Sequence, residues 1–79
     1  MPVRIELSPF LRKHVPEYDP AEGLVLESGH GKTISQLIEE LGIPPKKVNS
    51  IMVNHFPAKA NHIVKDGDVI GLIMAIGGG

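Results

Sequence analysis

The sequence contains no cysteine among its 79 residues. This absence excludes disulfide bonds, thiolate nucleophiles, cysteine-ligated zinc and cysteine-bound iron–sulfur clusters. Small secreted domains often need disulfides because their cores are small, so a chain of this length without them is expected in the cytoplasm. With 42% hydrophobic and 22% charged residues, the composition is that of one small globular domain.

Aromatic residues and an excess of charge are also scarce. Only Phe10, Tyr18 and Phe56 are aromatic, too few for a surface that stacks nucleic-acid bases. The formal net charge is −1, whereas nucleic-acid-binding domains carry a clustered basic excess. The longest apolar-rich run (residues 69–76) is too short to cross a membrane, and no signal peptide is recognisable. We therefore expect neither nucleic acid nor a membrane as a partner.

Alternation of apolar and polar residues predicts a strand near the start of the chain. In VRIEL (residues 3–7) every second residue is apolar, the pattern of a strand with one face exposed to water. Ser8 and Pro9 suit the N-cap and the first position of a short helix. The segment LVLE (residues 24–27) is expected to pair with the first strand as a hairpin.

The main helix is predicted from TISQLIEELGI (residues 33–43). Thr33 and Gln36 have the spacing of a capping box, and Gly42 followed by two prolines is a stop signal. Four apolar residues at helical spacing form one stripe: Ile34, Leu37, Ile38 and Leu41.

Two further strands are predicted in the second half of the chain. In VNSIMVNH (residues 48–55), Ile51 and Val53 share one face of a strand. Residues 56–68 are predicted to be a long connection ending in an Asp–Gly–Asp turn. The segment VIGLIMAI (residues 69–76) is more uniformly apolar, which indicates a central strand.

The order strand, strand, helix, strand, strand predicts an α+β protein with the β-grasp, or ubiquitin-like, fold. Two hairpins on either side of one amphipathic helix bury its apolar stripe against the mixed sheet that they form, since neither layer can bury its apolar face alone. The first and last strands are then expected side by side and parallel, in a sheet of four to five strands. Residues 1–76 make up this domain, and residues 77–79 form a flexible glycine tail.

Two motifs suggest ligand binding but have simpler interpretations. GHGKT (residues 29–33) is similar to a phosphate-binding loop, which requires a glycine five residues before Gly31, and Leu26 stands there. A turn followed by a helix cap explains these residues. The four histidines have no metal-ligand spacing on one element; although His55 and His62 could converge across their loop, no metal site is expected.

Several apolar residues of the second half have two possible roles. Each can belong to the core or to a patch that docks a partner protein, for which the adaptable side chain of methionine is well suited. The sequence does not separate these roles for the five candidates, Met52, Phe56, Ile73, Met74 and Ile76.

The last three residues of the sequence, Gly77, Gly78 and Gly79, follow the last predicted strand without a polar spacer. Three extended residues reach about 10 Å from the domain, enough to enter a narrow active site of another protein. Glycine has no side chain to collide with such a channel and accepts any φ that the channel imposes. The tail therefore suggests that the Gly79 carboxylate is presented to a partner and positioned on the α-phosphate of a nucleotide. The alternative is a disordered end with no role.

Together these segments resemble the small ubiquitin-like sulfur carriers, which comprise the molybdopterin synthase small subunit and the thiamin-pathway sulfur carrier. The similarity covers nearly the whole chain: VRIEL, LRKHV, GKTISQLIEELGIP, IMVN, VKDGDVIGLI and the terminal Gly78–Gly79. A terminal Gly–Gly placed eleven residues after an Asp–Gly–Asp turn is its most specific part.

The resemblance implies a carrier that is not an enzyme by itself and binds no cofactor of its own. A ubiquitin-activating-type enzyme would use ATP to adenylate the Gly79 carboxylate, and a sulfur donor would displace AMP to leave a thiocarboxylate. The sulfur would pass to an acceptor, either the large subunit of a molybdopterin synthase-type sulfurtransferase or another biosynthetic enzyme. Molybdopterin synthesis is the first expectation and thiamin synthesis the next.

The sequence departs from the family pattern near its end. Ile73, Met74 and Ala75 stand where molybdopterin-type tails usually carry an aromatic residue and two prolines, and His55 stands where a Val–Asn–Gly turn has glycine. The chain length and the segment after the first strand resemble the molybdopterin synthase small subunit more closely. The absence of the prolines resembles the thiamin-pathway carrier more closely. Two other hypotheses stay open: a ubiquitin-like modifier or binding domain, and an enzyme with a nucleotide site at Lys32.

Overall fold

The computed structural model describes residues 1–27 and 30–74. The main helix, α1, covers Ile34–Glu40, and two short 3₁₀ helices cover Pro9–His14 and Pro45–Lys47. Within the described part of the chain, no helix is long and apolar enough to cross a membrane. The sheet has five strands: β1 (Val3–Leu7), β2 (Leu24–Leu26), β3 (Ser50–Val53), β4 (Phe56–Pro57) and β5 (Val69–Ile73).

The strands lie in the order β2-β1-β5-β3-β4. The first and last strands, β1 and β5, are parallel neighbours at the centre, and the pairs β1–β2, β3–β5 and β3–β4 are antiparallel. This mixed sheet with one main helix is the β-grasp fold, and the prediction of fold class is confirmed.

The core lies between the sheet and α1. In the central pair, Ile5 is in register with Ile70 and Leu7 with Leu72, and all four side chains are buried. Because successive side chains of a strand point to opposite faces, the apolar positions of β1 all reach the same side, as their alternating burial shows. Burying one such side chain contributes about 1.5–3 kcal/mol.

The helix begins and ends where the sequence predicts. Gln36 donates its backbone N–H to the Thr33 hydroxyl (3.1 Å), and its side-chain oxygen accepts the Thr33 backbone N–H (2.8 Å). This capping box satisfies two N–H groups that a helix start otherwise leaves unpaired. Gly42 ends the helix at a φ of +76°, a conformation that L side chains rarely adopt. The apolar stripe reaches the core through Ile34, Leu37 and Ile38, whereas Leu41 is half-buried.

The prediction of a long connection over residues 56–68 is wrong for its first two residues. Phe56 and Pro57 form β4, which follows β3 after a two-residue turn. A strand of two residues is too short to show alternation, which is why the pattern missed it. In this hairpin Ala58 donates its N–H to the Ile51 carbonyl (2.9 Å), so the ring nitrogen of its neighbour Pro57 points away from β3, towards the open edge.

We expect Ile70→Ala to lower the free energy of unfolding by about 2–5 kcal/mol, because Ile70 is fully buried on the central strand and its truncation leaves a cavity. Ile63→Ala is the matched control, since Ile63 is half exposed. Urea unfolding followed by circular dichroism measures both. Equal losses for the two variants would contradict this assignment of the core.

Candidate functional site

The face of the sheet opposite the core, which we call the open face, carries the side chains that alternate with the buried ones. The strand registers place Glu6 of β1, Gly71 of β5 and Met52 of β3 in one row across it. Further along β5, Ile73 lies opposite Ser50 of β3. The open face is therefore built mainly from the two central strands and β3.

Gly71 lowers the middle of the open face because it has no side chain. A Cβ at this position would lie 3.6 Å from the Cβ of Met52. The result is an open depression of about 330 Å³, whose lining includes Met52, Ile73, Glu6 and His55. An apolar floor with polar groups beside it suits an apolar side chain of a partner protein.

The predicted docking residues do not share one surface. Met52 and Ile73 both line the depression. Phe56 is 73% exposed, but it pairs with a buried residue of β3, so register places it on the core side of the sheet rather than on the open face. Met74 packs against the core cluster. Of these four, only Met52 and Ile73 are brought together.

Residues 75–79 lie outside the described part of the chain. They include Ile76, the fifth predicted docking residue, and the predicted tail, Gly77, Gly78 and Gly79. The described residues nearest to the tail are those at the end of β5.

The end of β5 is held from both sides. Ser8 donates its backbone N–H to the Leu72 carbonyl (3.0 Å), and its hydroxyl oxygen accepts the backbone N–H of Met74 (2.9 Å). From the other side, Asn49 donates its backbone N–H to the Ile73 carbonyl (2.7 Å). The backbone is thus hydrogen-bonded up to Met74, one residue beyond the strand.

The turn between β3 and β4 has a positive φ at both of its residues, +52° at Asn54 and +73° at His55. His55 therefore adopts the conformation that a glycine would supply in this turn, and it is one of the residues that line the depression. Asn54 fixes the turn to the start of β5: its backbone N–H donates to the Val69 carbonyl (2.8 Å), and its side-chain oxygen accepts the Val69 N–H (2.9 Å).

Asp68 is the one buried charged side chain among the described residues, and sequence reasoning missed its role. Its carboxylate accepts hydrogen bonds from the Asn54 side-chain amide (3.0 Å) and the Lys65 backbone N–H (2.9 Å), and His62 Nε2 lies 3.4 Å away. Burial by itself raises the pKa of this carboxyl, but these hydrogen bonds and the charge of His62 together hold the pKa below its usual value. The Asp–Gly–Asp turn was visible in the sequence; its contact with Asn54 was not.

The histidines are divided between different surroundings. His55 lines the depression, His62 faces Asp68, and His30 Nδ1 lies 3.1 Å from the exposed carboxylate of Asp66. Within residues 1–27 and 30–74, no group of three or more His, Asp and Glu side chains is arranged to hold a metal ion.

Lys32, the lysine of the GHGKT motif, is paired with a carboxylate. Its Nζ lies 2.9 Å from each carboxylate oxygen of Glu40, at the other end of α1. Its carbonyl accepts the Val64 N–H (2.8 Å), and Thr33 caps the helix. These contacts support the interpretation of residues 30–33 of the motif as a turn and helix cap.

Comparison with known proteins identifies a family and a related fold. The model of the ThiS family matches residues 16–79. The chain is also similar to the solution structure of Urm1 from Trypanosoma brucei, with a TM-score of 0.72 and 15% sequence identity, covering 99% of this chain and 95% of that one. At this identity the structural likeness shows the fold alone. No curated protein matches the chain significantly.

We expect Asp68→Asn to lower the free energy of unfolding at pH 7, and the loss to shrink as the pH falls below about 4. The folded-state pKa of Asp68 is lowered, so its stabilising effect is complete above the unfolded pKa and disappears as the pH falls through the folded value. Urea unfolding at several pH values measures this difference. Asp66→Asn, which removes an exposed carboxylate, should have little effect at any pH; a pH-independent loss for Asp68→Asn would contradict the assignment.

Proposed function

The chain belongs to the ThiS family, and from that premise we propose that this ubiquitin-like sulfur carrier holds its sulfur as a thiocarboxylate on Gly79. The observation that carries the proposal is the extent of the family match. It runs from residue 16 to residue 79 and so includes the glycine tail together with α1 and the strands β2 to β5 of the β-grasp domain. The fixed end of β5, from which the tail continues, supports the same role.

In the proposed reaction an oxygen of the Gly79 carboxylate attacks the α-phosphorus of ATP bound to a ubiquitin-activating-type enzyme. Pyrophosphate leaves, and the carboxylate becomes an acyl adenylate. Hydrosulfide, as the sulfur donor, then attacks the carbonyl carbon, AMP leaves with the oxygen, and a thiocarboxylate remains. Activation is needed because a free carboxylate has no good leaving group, whereas an acyl adenylate has one. The chain itself serves as substrate and carrier, and ATP is bound by the partner.

The proposed acceptor is the large subunit of a molybdopterin synthase-type sulfurtransferase. The sequence resemblance supports this assignment, since the chain length and the segment after the first strand, which holds the 3₁₀ helix Pro9–His14, resemble the molybdopterin side of the family. The acceptor of thiamin synthesis is the alternative, favoured by the missing prolines before the tail. Reaction of the thiocarboxylate form with each purified acceptor distinguishes the two by the product formed.

We expect the protein, incubated with a cognate adenylating enzyme, ATP and sulfide, to gain the mass of one oxygen-to-sulfur exchange. Intact-protein mass spectrometry measures the gain, and fragmentation places it on Gly79. An unchanged mass, with an enzyme proven active on another carrier, would contradict the proposal. Recovery of Gly79 in isopeptide linkage to lysines in cells would instead favour a protein modifier.

Two tail variants are the matched controls for this experiment. Deletion of Gly79, or extension of the chain by one residue, moves the carboxylate by one residue without touching the described domain. Both variants should lose the mass gain while keeping the circular dichroism spectrum and melting temperature of the wild type.

The open face is the proposed docking surface for the adenylating enzyme. We expect Met52→Glu to raise the KM for the carrier about ten-fold or more, because it places an unpaired charge in the depression that the enzyme would cover. Steady-state pyrophosphate release, with the carrier as varied substrate, measures this effect. Phe56→Glu is the control on the other side of the sheet, and an equal increase in KM for both variants would contradict docking through the open face.

A further inference from the structure

The hydroxyl of Ser8 has a different partner from the one its position suggests. Ser8 is the N-cap residue of the 3₁₀ helix Pro9–His14, yet its side chain makes no capping hydrogen bond. The turn is closed by the backbone instead, because the Leu11 N–H donates to the Ser8 carbonyl (2.9 Å). The hydroxyl is therefore not needed for the helix. It accepts the N–H of Met74, which is 66 residues away in the sequence.

Within residues 1–27 and 30–74, this hydrogen bond holds the residue of the β5 end that lies nearest to residue 75. The Leu72 and Ile73 carbonyls are held by backbone N–H groups of Ser8 and Asn49. The N–H of Met74, in contrast, is accepted by a side chain, the hydroxyl of Ser8. Met74 also packs its side chain against the core cluster, so both its backbone and its side chain direct the chain at this point.

We propose that Ser8 is a positioning residue for the activation of Gly79: its hydrogen bond to Met74 fixes the point and the direction from which the tail leaves the domain. This inference rests on the proposed function. Release of Met74 removes the fixed position and direction of the backbone at residue 74, so the Gly79 carboxylate is aligned with ATP less often.

The Ser8 hydroxyl can be removed by mutation without the loss of a helix cap, because it makes no capping hydrogen bond. In Ser8→Ala the Met74 N–H loses its acceptor, while the backbone bond that closes the 3₁₀ turn is kept. Ser8→Thr keeps the hydroxyl, and the extended backbone at Ser8 (φ −65°, ψ 155°) accepts a β-branched residue. Ser35→Ala makes the same chemical change on the exposed side of α1 and is the matched control.

Adenylation kinetics with the carrier as varied substrate test the proposal. For Ser8→Ala we expect kcat to fall about five-fold, the effect of losing one neutral hydrogen bond. KM should change less than kcat, because Ser8 is only one of the residues that line the depression and Met52 and Ile73 stay in place. Ser8→Thr and Ser35→Ala should retain the wild-type kcat. A purely structural role would give a different result: partial unfolding lowers the concentration of competent carrier, which raises the apparent KM and leaves kcat unchanged.

Amide hydrogen exchange at Met74 is the second measurement, and it needs no partner enzyme. Exchange should be faster in Ser8→Ala than in the wild type and in Ser8→Thr. Unchanged exchange, or a Ser8→Ala variant activated with the wild-type kcat, would overturn the role of Ser8 while leaving the proposed function in place. A wild-type protein that is not activated at all would overturn both the proposed function and the role of Ser8. The exchange experiment would then test only whether the Ser8–Met74 hydrogen bond forms.

Discussion

Two parallel strands from opposite ends of the chain, β1 and β5, share the hydrogen-bond ladder at the centre of the sheet. Because they run in the same direction, the residues that follow each strand leave the sheet at the same end. Ser8 comes directly after β1 and Met74 directly after β5, and the parallel pairing with Leu7 opposite Leu72 brings them within hydrogen-bond distance. The same pairing sets Ile5 against Ile70 and Leu7 against Leu72, so the centre of the core and the base of the tail depend on one register.

The features that the sequence predicted are those set by neighbouring residues. Alternation in residues 3–7 placed β1, and the spacing of Thr33 and Gln36 placed the start of α1, because the interactions involved span at most four residues. The contacts that could not be predicted join distant parts of the chain. The Asn54–Asp68 hydrogen bond spans 14 residues and the Ser8–Met74 bond 66. No local sequence pattern predicts these two bonds, because a serine or asparagine side chain can also hydrogen-bond to groups close to it in the sequence.

The docking residues were predicted from their chemical type, but chemical type does not determine whether a side chain lies on the open face or on the core side of the sheet. Met52 and Met74 are both methionines, yet Met52 lines the open depression and Met74 packs against the core. The face is decided by strand register, and for Phe56 by a two-residue strand that the pattern did not reveal. The depression itself follows from Gly71, whose missing side chain matters only because Met52 stands opposite it.

One of the two edge strands of the sheet, β4, also limits how another protein can bind. β4 is two residues long, and Pro57, the residue whose nitrogen points away from β3, has no N–H to donate. An approaching strand would meet a proline ring where it needs a hydrogen-bond donor, so this edge is protected against extension of the sheet by a second chain. The short hairpin thus has two results: it places Met52 on the open face, and it protects the β4 edge against edge-to-edge aggregation.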